Sequence, residues 1–195
     1  MTENTHHIPP FDPPSFLFRL EDLLKSLYGG SLLYNDFIRK MDLQGEEHVL
    51  DFGCGGGVEA RCVLKQLSFE GQVTCLDPSE YLLNRAKKRL KKYPNVTFYN
   101  QDIREVDFPP DTFDAVIIFH VLHDIPKADR GTIVAALCST LKSTGKIFIR
   151  EPIRTHHGMP LTEIRALFQS SNLTETQNEM VNSNEYWGVF QTQTH

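Results

Sequence analysis

The stretch from Val49 to Gly57, VLDFGCGGG, constrains the fold more than any other part of the chain. Its short apolar run predicts a buried strand, and the segment 58–64 after the glycines predicts a helix. The order is therefore strand, tight loop and helix N-terminus. Four glycines in the loop lack a Cβ, so the backbone can adopt positive φ and a ligand can approach the main chain. A loop of this kind typically holds a ligand.

The composition indicates one globular domain. The chain has 195 residues, 40% apolar and 23% charged, and no window approaches the roughly 20 apolar residues of a membrane span. Its polar, proline-rich start lacks the features of a signal peptide, which favours a cytoplasmic location. The net charge of −5 argues against a nucleic-acid partner. The cysteines form no C-x-x-C pair and indicate neither a metal site nor a disulfide framework.

Strand and helix patterns alternate after the glycine loop. Strands are predicted at 72–76, 96–99, 113–119, 146–149 and 186–190, with a weaker one at 173–181. Helices are predicted from Ser79 to about Lys92, from Ile133 to Leu141, and after Pro160. This alternation predicts an α/β fold, with a doubly wound, mostly parallel sheet and helices on both faces.

Two more helices are predicted before the first strand. One covers 15–27 and is ended by Gly29-Gly30, and the other covers 32–41. We therefore expect residues 1–45 to form an N-terminal helical appendage and residues 46–195 to form the core.

Several polar stretches follow predicted strands and should share one crevice, because ligands bind at the carboxyl ends of parallel strands where the winding reverses. The dinucleotide fingerprint would need glycine at Val58, and the phosphate loop would need a Gly-Lys-Ser/Thr triplet that does not occur. Asp77 has the position of a carboxylate that accepts ribose hydroxyls. Asp102 could accept the exocyclic amine of adenine, with Ile103 covering the ring. A simple turn role for either acid stays open.

With these motifs in order, the chain resembles the class I S-adenosylmethionine (SAM)-dependent methyltransferases. Asp51-Phe52-Gly53-Cys54-Gly55-Gly56-Gly57 matches the family's D-x-G-x-G-x-G loop. Asp77 matches its ribose acid, and 100–103, NQDI, its adenine segment. The stretches 113–123 and 141–149 resemble its fourth-strand and fifth-strand motifs. The match covers about residues 45–155.

The resemblance implies a seven-stranded sheet whose last strand is antiparallel, with Trp187 and Phe190 in the core. It also implies SAM as the cofactor. The cofactor-binding residues it implies are Asp51, Gly53, Cys54, Gly55, Asp77, Pro78, Asp102, Ile103 and Phe119.

The acceptor side is less defined, because methyl transfer needs alignment and exclusion of water and needs a base only for a protonated nucleophile. His120 or His123 is a candidate base. The candidate substrate contacts are Tyr28, Tyr34, Glu151 and His156. Either histidine could instead be an ordinary polar residue of the loop. No metal site is expected.

The markers of DNA methyltransferases are missing after the fourth strand, and the chain has no large insertion. We therefore expect a small-molecule acceptor, enclosed by residues 1–45, by the loop 151–158 or by a second subunit of a homodimer. Three alternatives remain: a SAM-binding protein without transferase activity, a methyltransferase acting on protein or RNA, and a nicotinamide-dependent reductase.

Overall fold

The computed structural model describes residues 30–154 and 157–192, with side chains from Tyr34 onward. The helices are α1 (Gly30–Arg39), α2 (Val58–Leu64), α3 (Glu80–Leu90), α4 (Lys127–Ser139) and α5 (Leu161–Ser170). The strands are β1 (His48–Phe52), β2 (Gln72–Leu76), β3 (Val96–Tyr99), β4 (Phe113–Phe119), β5 (Leu141–Pro152), β6 (Leu173–Asn182) and β7 (Glu185–Thr192). The helix predicted at 15–27 and the candidates Tyr28 and His156 lie outside the described residues.

The strands form one seven-stranded sheet in the order β3-β2-β1-β4-β5-β7-β6. Strands β1 to β5 pair in parallel, whereas β7 runs antiparallel to both β5 and β6. The winding reverses between β1 and β4, where Phe52 pairs with Ile118. The predicted fold class is confirmed, including the antiparallel last strand.

Helices cover both faces of the sheet. Side chains of α1, α2 and α3 share one apolar cluster with Val49, Ile117 and Phe148. Side chains of α4 and α5 share the other cluster with Leu50 and Val116 on the opposite face. Because alternate residues of a central strand point to opposite faces, β1 and β4 have to be apolar on both. Trp187 and Phe190 are 5% and 1% exposed, as predicted for core residues.

Most element bounds agree with the sequence predictions, but those of α1, α4 and β5 do not. Leu141 was predicted as the last apolar residue of a helix, but α4 ends at Ser139 and Leu141 begins β5 opposite Phe113. The helix predicted at 32–41 is α1, which covers Gly30–Arg39 instead. The helix end predicted at Gly29-Gly30 belongs to the helix that lies outside the described residues. At Leu141 a helical pattern continued across a boundary that strand pairing decides. Ser79 caps α3 as predicted, and its hydroxyl accepts from Leu82 N at 3.3 Å.

Candidate cofactor and acceptor site

The crevice lies at the carboxyl ends of β1, β2 and β4. The chain leaving β1 stays bound to β2, because Gly53 N and Cys54 N donate to Leu76 O at 2.8 and 3.2 Å. The chain leaving β4 stays bound to β5, because His120 N donates to Arg150 O at 2.8 Å. These bonds place the glycine loop and the β4 loop side by side where the winding reverses. The glycine loop, the end of β2 and the β4 loop are therefore neighbours, and a shared ligand crevice there remains a prediction.

Two glycines give the loop its shape. Gly53 has φ 72°, and a Cβ there would lie 2.6 Å from Val121 Cγ2, so the β4 loop packs directly on it. Gly55 has φ 50°, and a Cβ there would meet nothing within 4 Å. The loop is therefore tightly packed at Gly53 and open at Gly55. An open backbone segment of this kind is where a ligand can lie against the main chain.

Asp77 connects the acidic end of β2 to the glycine loop. Its side chain is buried, with Oδ2 accepting from Gly55 N and Oδ1 from Ser79 N, both at 2.8 Å. The carboxylate is thus fixed beside the open part of the loop. Pro78 is exposed, and its carbonyl accepts from Asn100 Nδ2 at 2.9 Å, which ties the ends of β2 and β3 together.

Two buried acids stand behind the loop. Asp51 is 1% exposed, and burial together with the charge of Asp77 raises its pKa to about 7. Burial, followed by the charge of Asp51, raises the pKa of Glu59 well above its usual value. Among the described residues, Asp51 Oδ2 and Glu59 Oε1 have no hydrogen-bond partner. Buried acceptors without a hydrogen-bond partner are uncommon in proteins. A hydrogen-bond donor or a cation bound next to these two oxygens would therefore stabilise them.

Glu59 was missed by the sequence predictions. It lies in the first turn of α2. An acid at this position is usually exposed to solvent and interacts favourably with the helix dipole. Its burial becomes visible only once α2 is packed against the sheet.

Asp102 belongs to a local ion-pair network. Arg104 N and Nε donate to Asp102 Oδ1 at 2.9 and 3.0 Å, and Arg104 Nη2 donates to Oδ2 at 2.7 Å. Burial opposes the charged form, but these bonds hold the pKa of Asp102 below its usual value. Arg104 also reaches Asp129 of α4 at 2.9 Å. The adjoining Ile103 is buried. The predicted contact of Asp102 with adenine remains a prediction.

Aromatic side chains of α1 pack on Phe119 at the end of β4. The rings of Tyr34 and Phe119 lie 4.6 Å apart, and Phe37 meets Phe119 edge-on at 5.2 Å. The Arg150 guanidinium lies 5.2 Å from the Phe119 ring centre. Phe119 thus lies between α1 and a buried cation. Tyr34, a predicted substrate contact, is brought to the crevice by α1.

His123 is held by a fully buried acid. Its Nδ1 lies 2.7 Å from Glu151 Oε2, while Glu151 Oε1 accepts from Val121 N and Leu122 N, each at 2.7 Å. Burial lowers the pKa of His123, but the bond to Glu151 and its charge outweigh burial and leave the pKa above 6.5. Glu151 is 0% exposed, so its predicted direct contact with a substrate does not fit the structure. It supports the β4 loop and His123 instead.

His120 is held differently. Its Nε2 lies 2.6 Å from Glu185 Oε1, and Arg150 donates to both oxygens of Glu185 at 2.9 and 2.8 Å. Here burial outweighs the attraction of Glu185, so the pKa of His120 falls below 6.5. Its φ of 57° is unusual for a residue with a side chain. The sequence predictions did not include Arg150 and Glu185.

The described residues contain neither a cluster of potential metal ligands nor a helix suited to cross a membrane. In residues 30–154 and 157–192, no group of three or more His, Cys, Asp or Glu side chains is placed to hold a metal ion. None of the helices in those ranges has the length and apolar character needed to cross a membrane.

The reversed last strand and the crevice at the winding reversal define a Rossmann-like fold of the methyltransferase type. It is similar to a TehB-like SAM-dependent methyltransferase from Corynebacterium glutamicum, with a TM-score of 0.71 and 17% identity, covering 91% of this chain and 96% of that one. It is also similar to magnesium protoporphyrin IX methyltransferase from Synechocystis with bound SAH, with a TM-score of 0.71 and 15% identity, covering 88% and 87%.

Sequence comparison agrees with the fold. Residues 49–145 match the family model of a methyltransferase domain. A ubiquinone biosynthesis O-methyltransferase of Coxiella burnetii is 30% identical over 111 residues, which are 56% of this chain and 45% of that protein. A demethylmenaquinone methyltransferase of Lysinibacillus sphaericus is 29% identical over 92 residues, 47% and 39% of the two chains. Residues 49–145 of the chain therefore form a methyltransferase domain, in a fold shared with SAM-dependent methyltransferases. The match of the chain spans less than half the length of these two relatives.

Proposed function

We propose that this protein transfers the methyl group of SAM to a small-molecule acceptor. One observation carries the proposal: the buried Asp77 carboxylate is hydrogen-bonded to the open part of the glycine loop through Gly55 N at 2.8 Å. An acid and an accessible backbone segment are thereby joined at the point of the sheet where nucleosides bind. The family match over residues 49–145 supports the same cofactor.

The residues of the crevice suit the parts of this cofactor. Asp77 would accept ribose hydroxyls, and Asp102 with Ile103 would contact adenine. The loop 53–55 would hold the amino-acid portion of SAM. The unpartnered Oδ2 of Asp51 would favour a positively charged group bound next to it. Phe119 would lie beside the sulfonium, where an aromatic face contributes about 0.5–2 kcal/mol to binding of a cation. When bound, SAM supplies a methyl group on a positively charged sulfur with a good neutral leaving group.

The protein's own contribution is mainly alignment and exclusion of water. Holding an acceptor in line with the reacting carbon can supply about 7–11 kcal/mol of rate acceleration in favourable cases. The partly exposed Tyr34, backed by the buried rings of Phe37 and Phe119, would provide an apolar surface for that purpose. We propose that residues 1–45, including Tyr28, complete the enclosure as a lid, and that His156 is a substrate contact.

The acceptor class is inferred from relatives and from size. The names of the ubiquinone and demethylmenaquinone methyltransferases described above refer to small molecules. A small acceptor also fits a core with no large inserted substrate domain between 46 and 154. The second subunit of a homodimer could enclose the acceptor in place of the lid. The oligomeric state of the full chain, measured by analytical ultracentrifugation, distinguishes the two arrangements.

The proposal is tested by incubating the full chain with SAM and a panel of small acceptors that carry hydroxyl, thiol, amine or activated carbon groups. Formation of SAH together with a product heavier by one methylene unit, detected by mass spectrometry, is the expected result. SAM binding without SAH formation from any acceptor, including protein and RNA extracts, would instead favour a binding protein. Tight binding of NADH without binding of SAM would contradict the proposal and favour a reductase.

A further inference from the structure

The connection between α2 and β2 carries an aromatic side chain that is almost fully exposed. Phe69 is 87% exposed, so its ring makes little contact with the rest of the described chain. Single exposed apolar side chains are common on protein surfaces, and exposure alone assigns no role. The surroundings of this ring distinguish it from an ordinary surface residue.

Five exposed lysines lie near the ends of the two helices on either side of this connection. Four belong to α3 and the turn after it, and one follows α2: Lys87, Lys88, Lys91, Lys92 and Lys65. The opposite side of α3 is buried against the sheet. Within residues 30–154 and 157–192, lysine ion pairs are formed by Lys40, Lys127 and Lys142, and by none of these five. Their charges are therefore available to another molecule.

The fold brings the lysines and the ring to the same end of the sheet. Helices α2 and α3 each lead from the carboxyl end of one parallel strand to the amino end of the next, so both end near the start of β2 or β3. Asn95, three residues after Lys92, donates through Nδ2 to Ser68 O at 3.4 Å and Gly71 O at 2.7 Å, on both sides of Phe69 in sequence. The turn with the lysines is thus bonded to the connection with the ring. We call Phe69 and the five lysines the basic surface.

Three acids border the basic surface and reduce its charge. Glu70 follows Phe69 and is exposed, and the segment 45–47, which contains the other two acids, accepts from Ser68 N at 2.8 Å through its first carbonyl. The lysines outnumber these acids, so this end of the molecule is positive. The whole chain, in contrast, carries a net charge of −5.

We propose that the basic surface docks on a membrane rich in anionic phospholipids, with the lysines against the headgroups and the Phe69 ring inserted below them. Each lysine near such a surface strengthens binding by about fivefold. An apolar side chain that enters the interface adds a contribution that salt does not screen. The proposal does not depend on methyl transfer, because the glycine loop and Asp77 lie at the other end of the strands.

The shape of the basic surface favours a lipid over a protein partner. The residues that dominate protein interfaces are packed in well-fitted, desolvated pockets. Phe69 projects from a loop, so a protein partner would have to supply the whole pocket around it. The acyl layer of a bilayer accepts a projecting ring without a preformed pocket.

The kind of cation favours a lipid over a nucleic acid. Lysine is a point charge on a flexible stem and lacks the planar fork with which arginine recognises phosphates and bases. Single-stranded nucleic acids are held by several aromatic side chains on which successive bases stack, whereas the basic surface has one exposed ring. Mobile anionic headgroups need neither feature.

Docking through the basic surface would leave the opposite end of the molecule free. The crevice residues follow the carboxyl ends of β1, β2 and β4, whereas Phe69 precedes the amino end of β2. The docked protein would therefore be held at the membrane with its crevice facing away from the lipid.

Sedimentation of the full chain with lipid vesicles tests the proposal. The protein should bind vesicles of phosphatidylcholine mixed with phosphatidylglycerol, and should not bind phosphatidylcholine alone. Binding should weaken with salt, because the Debye length falls from about 10 Å at 0.1 M to about 3 Å at 1 M. Equal binding to both vesicles, binding to neither, or tighter binding to a DNA or RNA oligonucleotide would overturn the proposal.

Matched variants separate the basic surface from the overall charge. Phe69→Ala should weaken binding to the mixed vesicles by roughly 10- to 100-fold without a change of charge. Lys91→Gln should weaken it by about fivefold. Lys127→Gln removes the same charge at the start of α4, where the side chain is 81% exposed, and should bind as the unmodified chain does. Equal losses in the two lysine variants, or unchanged binding in Phe69→Ala, would contradict docking through this surface.

Two further variants give results that misfolding does not produce. Glu70→Gln removes the acid next to the ring and should strengthen binding to the mixed vesicles. Phe69→Trp reports insertion directly, since the chain has one other tryptophan, Trp187, which is 5% exposed. Its fluorescence should shift to shorter wavelength on the mixed vesicles. Weaker binding of Glu70→Gln, or an unshifted emission from vesicle-bound Phe69→Trp, would count against the proposal.

Discussion

Asp51 lies at the carboxyl end of β1, and its surroundings shift the pKa of its carboxyl group. Burial and the charge of Asp77 raise its pKa from 3.8 to about 7, and Oδ2 has no hydrogen-bond partner among the described residues. A pKa raised in the folded state means that the folded protein loses stability as pH rises from about 4 through about 7. A cation bound nearby reverses that cost by favouring the carboxylate.

Proton release should therefore accompany SAM binding near pH 7. An acid with a pKa of about 7 is half protonated there, so a bound cation should expel on the order of half a proton. Titration calorimetry in buffers of different ionisation enthalpy measures this number. Asp51→Asn has no proton to release and should abolish the buffer dependence. Equal proton release in both proteins would rule out Asp51 as the source.

Gly55 allows a test of the open part of the loop. Gly55→Ala adds a methyl group where nothing lies within 4 Å, at a φ of 50° that costs a residue with a side chain about 1–2 kcal/mol. This strain lowers the stability of the free and the bound protein alike, whereas SAM affinity should fall because the methyl group occupies the cradle. Gly131→Ala is the matched control: it lies exposed in α4 with open space around it and should raise helix stability slightly. Unchanged affinity in Gly55→Ala would place the cofactor elsewhere.

At the scale of elements, α1 joins the N-terminal part of the chain to the crevice. Phe37 and Ile38 of α1, and Met41 just after it, are 1%, 2% and 3% exposed and belong to the apolar cluster on one face of the sheet. Lys40, which directly follows α1, contacts Glu179 of β6 through Nζ at 2.6 Å, and this Nζ lies 5.4 Å from the Trp187 ring centre. Apolar packing and an ion pair therefore hold the same helix, and their magnitudes differ.

Packing should dominate the attachment of α1. Phe37→Ala removes a buried ring and should lower the free energy of unfolding by about 3–5 kcal/mol. Lys40→Gln removes an ion pair whose side chains are 28% and 51% exposed, and should cost less than about 1 kcal/mol. Urea unfolding of the two variants gives both values. A larger loss in Lys40→Gln than in Phe37→Ala would show that the ion pair holds the helix.

At the scale of the whole molecule, long apolar runs made the sheet predictable. Strand β4 is buried on both faces, and its run from Phe113 to Phe119 is bounded by turn residues, so periodicity and length determine its limits. The position of Asp77 beside the glycine loop was predictable because both follow neighbouring parallel strands, whose carboxyl ends meet on the same side of the sheet. Leu141 shows the limit, since its helical spacing was overridden by pairing with Phe113.

The charged networks could not be predicted in the same way. His123 and Glu151 are 28 residues apart in sequence and meet only because β4 and β5 pair with Phe119 opposite Arg150. Glu151 was predicted as a substrate contact, but it lies in a part of β5 that is buried on both faces, and its own exposure is 0%. Whether an acid faces the crevice or supports it depends on register, which one sequence does not specify.

The proposed lid makes a prediction for the full chain. Deleting residues 1–30 should abolish turnover because the acceptor is no longer enclosed, while largely sparing SAM binding to the loop and Asp77. Turnover is measured by SAH formation, and binding by calorimetry, on the same preparations. Full activity of the shortened protein would refute the lid, and a parallel loss of SAM binding would give residues 1–30 a role in the cofactor site.

The central claim is that Asp77 and the glycine loop together bind the nucleoside part of SAM, and its most direct test is calorimetric titration of Asp77→Ala. Losing hydrogen bonds to a charged acceptor should weaken SAM binding by about 1.5–3 kcal/mol, or roughly 10- to 150-fold. Glu70→Ala is the control, because Glu70 is an exposed acid that precedes β2, at the opposite end of the strands from Asp77. This variant should bind SAM as the unmodified chain does. The same SAM affinity in Asp77→Ala as in Glu70→Ala would contradict the claim.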